Sequence, residues 1–245
     1  MVDTPKHETG DDWTPGDPTQ RYDEVVFGRK SIRGYLEKPV PMELMQEVIS
    51  LAMRSPSSMN TQPWHFHVIT GKPLDEIRQG NTERILAGEP DSREFRTGKA
   101  FANEHRERQI EVAKQLFAEM QIARGDADAR QDWVLRGFRQ FDAPVCVIIT
   151  YDRDLADSDD APFDCGAAAT ALVNAAWSRG LGCVINSQGI MQSPVVREHA
   201  SIPDDQVIMK AIAVGFPDPT FPANRVYSYR KPMDEAVTFT GFPKL

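Results

Sequence analysis

The sequence predicts one α/β or α+β domain built around a single central sheet. Three observations carry this. The run Pro144-Val145-Cys146-Val147-Ile148-Ile149-Thr150-Tyr151 is almost continuously apolar, the form of a strand buried on both faces. Segments with helical spacing lie before and after it, so strands and helices alternate along the chain. The length of 245 residues is enough to bury one sizeable core.

The elements follow in order. Residues 1–20 hold Pro5, Gly10, Pro15, Gly16 and Pro18, with only Trp13 large and apolar, which predicts a mobile arm. The folded domain is expected over 21–245. Leu44, Met45, Val48, Ile49 and Ala52 fall at helical spacing after a Pro39-Val40-Pro41 entry. Arg54 to Pro63 is a loop by composition, and Trp64 to Thr70 reads as a strand ended by Gly71. From about 74 to 140 the chain is charged and mostly helical. Ile110, Ala113, Leu116, Phe117 and Met120 line one helix face. Gly80, Gly88, Pro90 and Gly98 predict a long loop or lid over 80–100. Cys165, Ala169, Leu172, Val173, Ala176 and Trp177 mark a further helix, with Gly180 and Gly182 able to end it through positive φ. Leu181–Ile185 and Val207–Gly215 read as short strands. The tail from Tyr227 to Phe239 has no local core and is expected to dock on something.

Composition narrows the function. The net charge of −8 and the lack of a long basic run argue against a nucleic-acid partner. No apolar run reaches the roughly 18 residues of a membrane-spanning helix. The acidic start, with Asp3, Glu8, Asp11 and Asp12, lacks the form of a secretory signal. Cys146, Cys165 and Cys183 show neither a disulfide framework nor zinc spacing, which predicts a reducing, cytoplasmic setting. His65 and His67 share a strand face without a partner at metal spacing and are expected to be a satisfied pair. Cys165 is expected to be a small buried hydrophobe. The chain has no G-x-G-x-x-G, no Walker lysine loop and no G-x-S-x-G, so a Rossmann dehydrogenase, a P-loop enzyme and an α/β-hydrolase are unsupported.

Four segments can carry chemistry. In Gly28-Arg29-Lys30-Ser31-Ile32-Arg33, two arginines and a hydroxyl alternate and would face one way if extended, which suits a phosphate or a conjugated anion. Ser55-Pro56-Ser57-Ser58-Met59-Asn60-Thr61-Gln62-Pro63-Trp64 offers amides, hydroxyls and proline faces to a planar heterocycle. Val184-Ile185-Asn186-Ser187-Gln188-Gly189 leaves backbone N–H groups at a strand's carboxyl end. Gly215-Phe216-Pro217-Asp218-Pro219 fixes a chain exit, with Asn224, Arg225 and Arg230-Lys231-Pro232 as closing groups. Taken singly, the first segment reads better as a solvated basic turn and the second as a helix stop with strand entry, while the third reads equally well as a plain turn.

Taken together and in order, they resemble the nitroreductase family of FMN-dependent oxidoreductases. The resemblance rests on Arg29-Lys30-Ser31-Ile32-Arg33, Pro39 to Leu44, Ser55 to Trp64, Gly215-Phe216-Pro217-Asp218 and Arg230-Lys231-Pro232. It is close over 22–78 and looser over 140–239. It implies an α+β, three-layer fold, with a mostly antiparallel sheet flanked by helices in an intertwined homodimer. It implies FMN as cofactor and NADH or NADPH as co-substrate, with hydride passing through flavin N5 to a small nitroaromatic or quinone acceptor in ping-pong turnover. By position, Arg29, Ser31 and Arg230 would hold the FMN phosphate, with Lys30 in the same strip. Arg33 would face the flavin N1/O2 edge. Pro56, Ser57, Ser58, Asn60 and Gln62 would reach the cofactor from the neighbouring subunit. Ser187, Gln188 and Gly189 would lie at the N5 side. Trp64 is expected in the core. Residues 80–140 match none of these motifs and are expected to be a variable helical insertion or lid that selects substrate. The alternatives are a related flavoenzyme performing reductive dehalogenation or substrate oxidation, and a flavin-binding protein without turnover.

Overall fold

A computed structural model describes residues 22–95 and 100–243. The arm expected over 1–20 lies outside the described residues. The helices are α1 (Tyr22–Gly28), α2 (Met42–Ala52), α3 (Gly71–Leu86), α4 (Asn103–Glu119), α5 (Ala127–Phe138), α6 (Asp160–Trp177) and α7 (Ser193–His199). The strands are β1 (Trp64–Thr70), β2 (Val145–Asp152), β3 (Gly182–Asn186) and β4 (Gln206–Gly215).

The four strands form one sheet in the order β1-β2-β4-β3, antiparallel at every pairing. β2 is central and buried along nearly its whole length, as its apolar run predicts. Side chains alternate between two cores. On one face Trp64, Val145, Val147, Ile149 and Tyr151 pack against Met45 and Val48 of α2 and Cys165 to Ala176 of α6. On the other, Ile69, Cys146, Ile148 and Ile208 meet Leu74 and Ile77 of α3 and Val196 of α7. The result is the helix–sheet–helix sandwich that the family resemblance implies.

The register between β2 and β4 slips once: Ile149 pairs with Lys210 and Thr150 with Ile208, so Met209 is a bulge. Across β3, Asn186 pairs with Ala211. The segment after α1 adds a short parallel bridge, Ser31 to Cys183, on the outer edge of β3.

The structure corrects two expectations. The predicted loop over 80–100 is helical as far as Leu86. Gly80 does not break α3; a Cβ there would lie 2.6 Å from Val195 Cγ1, so glycine lets α3 and α7 approach closely. Gly180 adopts the predicted positive φ, +80°, after α6. Gly182 does not; it opens β3, where a Cβ would meet Ile32 at 2.5 Å.

The helix predicted around Ile110–Met120 is present as α4, but none of its side chains is fully buried. In the tail, Tyr229 and Phe239 are largely exposed. Among the described residues, no helix is long and apolar enough to cross a membrane.

Candidate functional site

The basic strip is extended, as its alternation requires. Ile32 and Gly34 point inward and are buried, while Ser31 and Arg33 are half-exposed on the other side. Ile32 N–H donates to Cys183 O at 3.0 Å, which fastens the strip to β3. Asn224, buried in the turn that follows β4, staples the next residues. Its Oδ1 accepts from Arg33 N at 2.7 Å and Gly34 N at 3.1 Å, and its Nδ2 donates to Gly34 O at 2.8 Å. Arg136 of α5 supports the strip from outside, donating to Arg33 O at 3.4 Å while paired with Asp142 at 2.9 Å.

Among the described residues, Arg29, Arg33 and Arg230 take part in no ion pair with a carboxylate, whereas Arg136, Arg153 and Arg197 all do. Burial pulls the Arg29 guanidinium below its ordinary range, and the nearby Arg230 charge pulls it the same way. Burial does the same at Arg33. Both remain cations, because guanidinium stays protonated in proteins. Two neighbouring arginines with a hydroxyl beside them and no counter-ion make a site for an anion. Lys30 is half-buried in the same strip. Arg225, a candidate closing group, turns away to pair with Glu119 of α4 at 2.8 Å.

Ser187, Gln188 and Gly189 begin where β3 ends, about four residues or roughly 13 Å along the strand direction from the Ser31–Cys183 bridge. The loop is held by buried amides. Asn186 Oδ1 accepts from Gln188 N at 3.0 Å, and Asn186 Nδ2 donates to Gly137 O at 2.6 Å. Gly189 O accepts from Asn81 Nδ2 at 3.1 Å and Gln140 Nε2 at 2.9 Å. Asn81 belongs to α3, Gly137 to α5, and Gln140 to the short turn after α5. The region expected to be a variable helical insertion or lid therefore also builds the wall behind this loop.

Pro56 to Gln62 lies elsewhere. Asp164 Oδ2 accepts from Ser58 N at 3.0 Å, and Ser57 Oγ from Gln62 N at 2.9 Å. Positive φ at Met59, Asn60 and Gln62 throws the loop outward, leaving Met59 95% exposed. It leads into β1, whereas the basic strip flanks β3, at opposite edges of the sheet. Three strand spacings, about 14 Å, separate those edges. Among the described residues, no hydrogen bond joins this loop to the strip or to Ser187–Gly189. One chain thus holds Arg29 to Arg33 along β3 with Arg230 near Arg29, has the Ser187 loop at the end of that same strand, and carries Pro56, Ser57, Ser58, Asn60 and Gln62 at the opposite edge of the sheet.

The other candidate side chains are buried or hydrogen-bonded. Trp64 is buried in the core. His65 meets Asp152 at 2.8 Å and His67 meets Gln206 at 2.7 Å, a satisfied pair. Cys146, Cys165 and Cys183 are free and buried, and burial pushes each thiol up to about 12, so none is a nucleophile near neutrality. Among the described residues, no cluster of ligating side chains suits a metal. The linear reading missed Asn81, Arg136, Gln140, Asp164 and Lys210. Only Lys210 leaves a signal, as a lone charge within the apolar run of β4.

The three-layer fold, with a strip of cations along one sheet edge, places the chain in the α+β class. Within that class, the model of the Nitroreductase family matches residues 26–216, and the chain belongs to that family. It is 34% identical over 227 residues to a nitrobenzene nitroreductase of Ectopseudomonas oleovorans, covering 91% of this chain and 98% of the relative. It is 31% identical over 227 residues to a chloronitrobenzene nitroreductase of Comamonas testosteroni, with the same coverage of 91% and 98%. Among solved structures it is similar to the FMN and NADPH-dependent nitroreductase NfnB from Sphigopyxis sp. strain HMH. The TM-score is 0.84 at 26% identity, over 91% of this chain and all of that one.

Proposed function

We propose that this chain is an FMN-dependent oxidoreductase that uses NADH or NADPH to reduce nitroaromatic acceptors, with quinones as a second acceptor class. The observation that carries the reading is the trio Arg29, Arg33 and Arg230 near Ser31, cations without carboxylate partners among the described residues. A phosphate-ended, electron-accepting heterocycle fits that set: it supplies one anion to Arg29, Ser31 and Arg230, and gains another at the ring on reduction. When bound, FMN would supply the redox chemistry, hydride acceptance and electron transfer to the acceptor.

The protein's residues bind, orient and tune. Arg29 and Arg230 hold the phosphate, with Ser31 donating its hydroxyl and Lys30 completing the positive strip. Arg33, fixed by Asn224, faces the N1/O2 edge, where a fixed cation stabilises the charge that reduction adds. Ser187 to Gly189 lie at the N5 side. Pro56, Ser57, Ser58, Asn60 and Gln62 come from the second chain of a homodimer, because one chain holds them at the far edge of its sheet. Exposed apolar groups such as Met59, Phe163 and Phe239 give that second chain a surface to cover. Nicotinamide and acceptor would take turns at the cofactor, and ping-pong kinetics would follow. The acceptors named for the two relatives are nitrobenzenes, and both relatives match over almost their full length. Three buried thiols suit a cytoplasmic setting.

The visible spectrum of the purified protein, followed by anaerobic addition of NADH or NADPH, tests this. The expected result is a yellow protein bleached by reduced nicotinamide and recoloured by a nitroarene or a quinone, with parallel lines in double-reciprocal plots. Protein that takes up no FMN overturns the reading. Yellow protein that nicotinamide does not bleach indicates flavin storage instead.

A further inference from the structure

Lys210 is the only charged residue of β4. It follows the bulge at Met209, and a bulge re-aims the side chains next to it. Since Asn186 pairs with Ala211, Lys210 stands across from Ser187, the first residue beyond β3. The ammonium donates to Ser187 Oγ at 2.6 Å and lies 5.8 Å from the centre of the Phe95 ring. Among the described residues, no carboxylate pairs with it. The neighbouring Arg93 is paired with Asp91. Burial holds the Lys210 ammonium below its ordinary range, and the Arg93 charge adds to that.

A serine oxygen that accepts from an ammonium has its own hydrogen free to donate elsewhere. The cation behind it polarises that O–H and strengthens the bond it can give. Ser187 begins the loop assigned above to the flavin N5 side. Resting on that FMN reading, we propose that Lys210 is a positioning residue that acts through the Ser187 hydroxyl to favour the reduced flavin. Reduction adds electron density to the ring, so a donor backed by a buried cation interacts more strongly with the reduced form than with the oxidised one. This is a second electrostatic device, separate from Arg33 at the opposite edge of the ring.

The test is the midpoint potential of the FMN-loaded protein in Lys210→Met, Lys210→Arg, Ser187→Ala and the Lys210→Met/Ser187→Ala double variant. Lys210→Met is expected to lower the reduced-to-oxidised ratio at fixed potential roughly tenfold, about 30 mV for a two-electron couple. Ser187→Ala should give a shift of the same sign, the double variant no more than Lys210→Met alone, and Lys210→Arg most of the wild-type value. A structural role would not be rescued by arginine and would lower the melting temperature in step with the potential. A wild-type potential in Lys210→Met overturns the proposal, as does an additive double variant, which removes the route through Ser187. Wild-type protein that binds no FMN overturns the underlying cofactor reading and takes the proposal with it; FMN-loaded variants with unshifted potentials overturn the proposal alone.

Discussion

Arg33 and Asn224 are 191 residues apart in the chain, yet the backbone N–H of Arg33 donates to Asn224 Oδ1 at 2.7 Å. The same side chain serves both the N–H and the carbonyl of Gly34 and donates to Asp218 O at 2.9 Å. One buried amide thus locks the cationic strip to the turn after β4. Asn224→Ala should leave the buried Gly34 N–H without its partner, at roughly 1–3 kcal/mol for the unsatisfied group, while Gly34 O keeps its bond from Asp218 N at 3.1 Å. The expected result is a urea midpoint clearly below wild type and weaker FMN retention, because Arg33 loses its anchor. An unchanged midpoint would show that the staple contributes nothing.

On the proposed site, Arg29→Ala should remove a charged hydrogen bond to the FMN phosphate, worth roughly 1.5–3 kcal/mol, or about 10- to 100-fold in affinity. Dialysis followed by flavin quantitation checks this, and a full complement after prolonged dialysis rejects the role. Arg33→Ala should instead shift the flavin potential more than its occupancy. If occupancy falls while the potential stays, the assignment of Arg33 to the N1/O2 edge is wrong.

The three thiols set an alkaline limit to stability. An exposed cysteine in the unfolded chain ionises near 8.5, whereas burial holds each native thiol to about 12. Between those values the unfolded chain carries fewer protons than the native one, so stability falls as pH rises. It is fully present below about pH 8 and is lost progressively towards 12. Urea unfolding at stepped pH should show this decline, with a shallower slope in Cys165→Ala. At pH 8 a thiol reagent should label the protein only in denaturant; rapid labelling of the native protein would contradict the burial.

How far the sequence discloses this protein depends on where the partners of each group lie. β2 and α6 are legible because burial on both faces, or along one broad stripe, writes itself into the local run of side chains. Gly80 misleads because its reason is Val195, more than a hundred residues away. The same holds for Asn81, Gln140 and Asn224: an amide reads alike whether it is solvated or buried, and their acceptors come from distant elements. The basic strip is visible as a strip, but nothing local distinguishes a solvated turn from an anion cleft. The bridge to β3 and the lack of carboxylate partners among the described residues support the proposed anion site. The kinship of Arg230 with Arg29 is carried by the family resemblance and supported by the effect of the Arg230 charge on Arg29. Lys210 could have been found from its isolation among apolar neighbours in β4.

The separation of the Pro56–Gln62 loop from Arg29 allows a decisive test of the two-chain site. If each FMN site takes its arginines from one chain and its loop from the other, two defective chains can complement each other. In a mixed dimer of an Arg29→Ala chain and an Asn60→Ala/Gln62→Ala chain, one site carries both defects. The other joins the intact Arg29 of the second chain to the intact loop of the first. Differentially tagged mixed dimers, purified by both tags, should therefore bind about one FMN per dimer with wild-type retention, while either parent homodimer loses flavin on dialysis. If each chain builds its site alone, both sites in the mixed dimer stay defective and no tight FMN is recovered. That outcome would return the loop to the chain that carries it and remove the second subunit from the site.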